Sequence, residues 1–159
     1  MRHDHAQGGE AAGMNGTIIC AVDGSEGAEA AIRIADRLGV RLGSRVVVVS
    51  VTAGTGDAAE RQATAAAALL ERLAAERRGP DAREYRVEVG SPVETLADIA
   101  ADEAAELIVV GARRGFRKRT LRSELARELA ETAPCPVLVA PPESSVAGAP
   151  HALDGRRAR

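Results

Sequence analysis

The sequence predicts an α/β fold, a parallel sheet with helices packed on both faces. Three observations lead there. Short, almost wholly apolar runs recur along the chain, as in strands covered on both faces. Between them the apolar period lengthens to that of amphipathic helices. Glycine, proline or a capping residue marks most of the switches. Strict alternation of such strands and helices is the pattern of crossover connections in a parallel sheet.

The first strand is Thr17-Ile18-Ile19-Cys20-Ala21-Val22, apolar at nearly every position. Beyond Asp23-Gly24-Ser25, residues Ala28, Ala31, Ile32, Ala35 and Leu38 form one helical stripe, and Gly39 reads as its stop. The second strand, Arg45-Val46-Val47-Val48-Val49-Ser50-Val51, is again continuously aliphatic. The second helix places Ala63, Ala66, Ala67, Leu70, Leu73 and Ala74 on one face and ends at Gly79-Pro80. From Arg83 to Val89 the pattern alternates, with Tyr85, Val87 and Val89 on one side, as in a half-exposed strand near an edge. The third helix opens on a capping box, Ser91 at the N-cap, Pro92 at N1 and Glu94 at N3, and turns Leu96, Ile99 and Ala100 inward. Ala105 to Val110 is the fourth strand. The fourth helix runs from about Arg122 to Glu131, before Ala133-Pro134, and Val137-Leu138-Val139-Ala140 closes the series.

Composition removes several function classes. With 159 residues, 45% hydrophobic and 28% charged, the chain suits one soluble globular domain. Its 21 Lys and Arg against 23 Asp and Glu leave a net charge of −2, no field that would draw it to nucleic acid or a membrane surface. One Tyr, one Phe and no Trp nearly exclude a base-stacking platform or a membrane aromatic belt. No aliphatic run approaches the ~18 residues of a membrane span. Cys20 and Cys135 lie far apart and make no CxxC pair, which points to a reduced, cytoplasmic protein.

Residues 1–15 hold no apolar signal core and read as a disordered extension, with Met14 as an alternative start. His3 and His5 around Asp4 would have to order that segment to hold a metal, at an entropic cost, so no metal site is assigned. Asn15-Gly16-Thr17 matches a glycosylation sequon that has no meaning without secretion. Residues 143–159 are small, polar and turn-forming, and read as a flexible tail. The folded domain is therefore residues 16–142.

In a parallel sheet, ligands sit beyond the carboxyl ends of the strands at the switch in strand order, so the loops after strands one and four carry the interest. No P-loop, dinucleotide fingerprint, HExxH or GxSxG occurs, and the three histidines all lie in the terminal segments. Ser-His and Cys-His catalysis are thereby excluded. The first strand exits as Ala21-Val22-Asp23-Gly24-Ser25. The Asp23 carboxylate suits a ribose hydroxyl or a nucleoside amine, while Asp23 or Ser25 equally suits a helix cap. The fourth strand exits as Val109-Val110-Gly111-Ala112-Arg113-Arg114-Gly115. Six cations follow within ten positions, Arg113, Arg114, Arg117, Lys118, Arg119 and Arg122. Before a helix N-terminus they fit a phosphate or other anion, and they fit a solvated basic loop about as well.

These features together resemble the universal stress protein family. TIICAVDGSEGAEAAIRIA, RVVVVSV, and ELIVVGARRG followed by APCPVLVAP carry the likeness, from about Thr17 to Pro141. It implies a five-stranded parallel sheet of order 3-2-1-4-5, Rossmann-like and of the adenine nucleotide alpha hydrolase type. It also implies a homodimer joined along the last strand, through Val137, Leu138 and Val139. Nucleotide-binding members carry a G-x2-G-x9-G-[ST] element after the fourth strand. By position Asp23 resembles the residue that meets ribose or adenine, Val51 an adenine contact, and Gly111 the first motif glycine. Arg114 stands in place of the second glycine, Ser123 of the later one, and Glu124 of the hydroxyl, with the loop one residue short. The candidate nucleotide contacts are Ala21, Val22, Asp23, Val51, Val110, Gly111, Arg113, Arg114, Ser123 and Glu124. ATP or AMP is the implied ligand, with Mg²⁺ only if ATP binds.

Two functions compete. One is a regulatory module whose nucleotide occupancy alters an unknown protein partner; the other is a dimeric interaction protein of the same fold that binds no nucleotide. An ATP-hydrolysing enzyme is the weakest reading, because no in-line base and no acidic metal pair are apparent near the loop.

Overall fold

The computed structural model describes residues 16–76, 83–112 and 121–141, the side chains of 121–123 excepted. Nine elements alternate: β1 (Thr17–Ala21), α1 (Glu26–Leu42), β2 (Arg45–Thr52), α2 (Asp57–Ala75), β3 (Arg83–Val89), α3 (Pro92–Asp102), β4 (Ala105–Gly111), α4 (Leu121–Thr132) and β5 (Val137–Ala140). All strand pairs are parallel, in the order β3-β2-β1-β4-β5. This is the expected sheet, with its switch in order between β1 and β4.

The period-two geometry of the strands builds two cores. Ile18, Cys20, Val22, Val46, Val48 and Val109 face one way, against Ala28, Ala31, Ile32 and Ala35 of α1 and Leu70 of α2. Ile19, Val47, Val49, Ile108 and Val110 face the other, against Leu96, Ile99 and Ala100 of α3 and Leu129 of α4. Each fully buried Ile or Val contributes about 1.5–3 kcal/mol. Both cores are aliphatic, with Tyr85 packed at the margin of the first.

Four local expectations are corrected. Gly39 does not stop α1, because it is buried within the helix and a Cβ there would meet Ser44 O and Val46 Cγ2, each at 2.9 Å. Gly43 is the stop, with φ 68° in the left-handed region that glycine reaches without strain. On α2, Ala67 and Ala74 are exposed, and Ala59, Ala66 and Leu70 form the buried stripe. Ser91 is the N-cap of α3 with Pro92 at N1, but its side chain makes no capping bond. The Ser91 carbonyl accepts the first helical bond, from the Thr95 N–H at 2.9 Å. Finally, β5 is not covered on both faces like the central strands. It stands at the sheet edge that the expected order gives it, with Val137 and Leu138 half-buried and Val139 exposed.

At the other edge, β3 is half-buried almost throughout, and Tyr85 and Val87 pack on the α1–α2 core while Val89 runs out into solvent. Ion pairs hold this edge. Arg83 binds Asp36 of α1, with Nε donating to Oδ1 at 2.7 Å, and its side chain is only 7% exposed. On the opposite face Arg45 and Arg86 both bind Glu84 and Glu103, with Glu84 at 3.0 Å and 2.5 Å respectively.

Residues 1–15 and 143–159, with the histidines they contain, lie outside the described residues, as do the Gly79-Pro80 stop and Arg113, Arg114, Arg117, Lys118 and Arg119.

Candidate functional site

The ladder continues past the strand ends and sets the exits at one level. Val22 N–H donates to Val49 O at 2.9 Å, and Ala112 N–H to Ala140 O at 2.8 Å. Ala21 stands beside Val49 on one side and Val110 on the other. Just beyond, Gly24 turns the chain with φ 78°, and the Ser25 N–H donates to Asp23 Oδ1 at 3.1 Å. The Asp23 carboxylate therefore braces its own turn and stays at the surface of the sheet edge. Of the two expected side-chain caps of α1, Ser25 forms none, while the Asp23 carboxylate accepts the N–H of the N-cap residue. Ser25 is the N-cap residue with no capping bond, and its Oγ is buried without a partner.

A cleft of about 420 Å³ opens where β1, β2 and β4 end beneath the starts of α3 and α4. That size suits a small organic ligand. Its lining includes seven of the ten candidates: Ala21, Val22, Asp23, Val51, Val110, Gly111 and Glu124. Arg113 and Arg114 lie outside the described residues, and Ser123 is placed on α4 without its side chain. The walls are aliphatic, and the polar lining groups are Ser91, Asp23, Glu124 and Glu128. A second, more open hollow of about 650 Å³ adjoins the first at Asp23 and Val51, bordered by Ser50, Thr52, Gln62, Leu69 and Arg72.

Sequence reasoning missed Ser91, Pro92, Val93 and Leu96, which bring the start of α3 to the cleft, and Glu128, one turn beyond Glu124. A signal for both existed. In a parallel sheet every helix that follows a strand starts at the carboxyl edge, so the β3–α3 junction belonged beside the other two. Residues four apart on a helix share a face, so Glu124 implied Glu128.

Gly111 also has a duty in packing. A Cβ added to it would collide with the carbonyl group of Gly27 in the first turn of α1. Cys20 is wholly buried, which pushes its thiol up to about 12, and burial also raises Cys135. Among the described residues, no group of three His, Cys, Asp or Glu is arranged to hold a metal ion, and no helix is long and apolar enough to cross a membrane.

Aliphatic walls suit a base, and the Asp23 carboxylate accepts from hydroxyl groups. Where a phosphate cradle would need glycine and a hydroxyl, α4 offers Glu124.

Comparison with known proteins agrees with the fold. The sequence profile of the universal stress protein family matches residues 14–141. The universal stress protein UspA from Lactobacillus plantarum superposes with a TM-score of 0.64 at 21% identity, covering 79% of this chain and 97% of that one. A universal stress protein in complex with cAMP superposes with a TM-score of 0.58 at 17% identity, covering 79% and 97%. A family protein from Arabidopsis thaliana with AMP bound gives 0.63 at 14% identity, covering 82% and 94%. No curated protein matches the chain by sequence.

Proposed function

The chain belongs to the universal stress protein family, and from that premise we propose that it is a non-enzymatic stress-response module that takes an adenine nucleotide in the cleft at the carboxyl edge of its sheet. One observation carries this reading: a cleft of about 420 Å³ with aliphatic walls collects seven of the ten residues singled out from sequence, Asp23 and Val51 among them. Relatives solved with cAMP and with AMP support it. The base would lie against Val49, Val51 and Val110, and the ribose hydroxyls would donate to Asp23. Catalysis has no apparent agent on the described lining, which supplies carboxylates with no activated nucleophile beside them.

Thermal shift with AMP, and with ATP and Mg²⁺, tests the proposal. Ligand at 100 times its Kd adds about 2.7 kcal/mol, a rise of several degrees for a domain of this size. An unchanged melting temperature at millimolar concentrations of every adenine nucleotide would overturn it. The edge strand β5, unpaired on its outer side among the described residues, favours a second role, pairing with another copy of this chain through Val137, Leu138 and Val139. That role would persist even without a ligand.

A further inference from the structure

The second hollow, of about 650 Å³, opens on the α2 side of β2, across the sheet from α3 and α4. Along β2, Val46 and Val48 enter the core under α1 and α2, so strand alternation carries Ser50 and Thr52 on that face into the hollow. Opposite them α2 presents Ala65, Ala66 and Ala68, whose side chains are too small to fill the space. Both hydroxyl residues are more than nine-tenths buried, Ser50 at 4% exposure and Thr52 at 7%. Thr52 Oγ1 donates to Glu88 O at 3.3 Å, whereas the Ser50 hydroxyl has no hydrogen-bond partner among the described residues. A polar group so enclosed ordinarily has one. Arg72 of α2 lines the same hollow. Its ion pair with Glu76 spans 3.8 Å, beyond hydrogen-bond distance, which leaves its guanidinium donors open to a ligand. Gln62, exposed on the same helix, adds an amide.

We propose that this hollow is a second ligand site, separate from the nucleotide cleft, and that it takes a small monocarboxylic acid with a short aliphatic body. The Arg72 guanidinium is a planar fork that matches one carboxylate with two parallel hydrogen bonds. Leu69 and the alanines of α2 give the aliphatic body an apolar surface. The Ser50 hydroxyl and the Gln62 amide each bond to a hydroxyl carried on that body. A 2-hydroxy acid therefore gains over the plain acid of the same length. Arg72 is exposed, so water and salt screen its charge and binding is weak, with a Kd of about a millimolar. The site stands independently of the nucleotide reading, for only Asp23 and Val51 border both hollows.

The experiment is heteronuclear NMR titration of the full chain with butyrate and 2-hydroxybutyrate. Butanol and butylamine serve as the uncharged and cationic controls, and inorganic phosphate as the alternative anion. The expected result is saturable shifts at the amides of Ser50, Thr52, Gln62 and Leu69, with those of Val93, Leu125 and Glu128 around the cleft unmoved. Arg72→Gln should weaken both acids by about tenfold or more, as for loss of a charge-assisted hydrogen bond. Ser50→Ala should remove only the advantage of the hydroxy acid. The spectra of both variants report directly that the fold is kept. Butanol or butylamine binding as tightly as butyrate overturns the proposal, because the hollow is then merely apolar. Phosphate binding in preference to butyrate overturns it too, as does an unchanged affinity in Arg72→Gln. So does the lack of any saturable shift at tens of millimolar acid. None of these results touches AMP binding in the cleft, which the thermal shift reads separately.

Discussion

Gly27 in the first turn of α1 and Gly111 at the end of β4 are packed backbone against backbone. A Cβ on Gly111 would lie on the carbonyl of Gly27, and a Cβ on Gly27 on that of Ala112. Neither obstacle is a flexible side chain that could swing aside. The contact fixes the start of α1 against the exit of β4, where Gly111 also lines the cleft. Gly111→Ala should therefore destabilise the fold without ligand, by about 1–3 kcal/mol as for other overpacked sites. Differential scanning calorimetry of the ligand-free protein checks this. An unaltered melting temperature would mean that α1 shifts freely and the contact is unimportant.

The Asp36–Arg83 pair should be among the costliest polar contacts to break. Arg83 is almost fully enclosed, so Asp36→Ala leaves a guanidinium buried without its counter-charge. Breaking such a pair from one side costs about 3–5 kcal/mol. The double variant Asp36→Leu, Arg83→Met should recover much of the loss, because it removes the stranded charge. Urea unfolding of the three proteins measures both effects.

Acid should weaken the β3 edge selectively. Bonding to Arg86, with help from Arg45, holds the Glu84 and Glu103 carboxyls below the ordinary glutamate range. A folded-state pKa below the unfolded one contributes stability that is complete above the unfolded value and is lost as pH falls through the folded one. The advantage of the native protein over Arg86→Met should thus be full at neutral pH and shrink below about pH 4. Melting temperatures of both proteins across that range give the answer. A constant difference would show that Arg86 acts by packing alone. Because the glutamates are partly exposed, the effect should also diminish in high salt.

The exposed strand β5 makes the homodimer testable by one substitution. Val139 is 37% exposed on an edge whose backbone groups have no further strand to pair with among the described residues. Val139→Lys should move the protein to monomer in sedimentation velocity, since a charge on an edge strand opposes strand addition. A dimer that survives at micromolar concentration places the interface elsewhere.

Much of this fold was legible because burial on two faces leaves a mark that needs no partner to be known. RVVVVSV and TIICAV can hardly be anything but central strands, and the alternation in REYRVEV announced the edge. The errors lay where one residue type serves two purposes. Gly39 was read for its conformational freedom but is present for its lack of a side chain against Ser44 and Val46. Ser91 and Ser25 have the chemistry of caps, yet neither makes the bond. Capping is a competition among local partners that composition cannot score.

The sequence by itself determined the class of fold, the order of its elements, and the edge of the sheet at which a site should form. Hydrophobic periodicity and the handedness of crossovers are properties of short segments, and these suffice for it. Only the tertiary structure decided which side chains meet there. Ser91, Val93 and Glu128 join Asp23, Val51 and Glu124 around one cleft from β2, α3 and its N-cap, α4 and the loop after β1. Contacts between segments so distant in the chain depend on how far each helix is set along the sheet. Close packing sets that spacing, as Gly27 against Gly111 does for α1, and no local pattern records it.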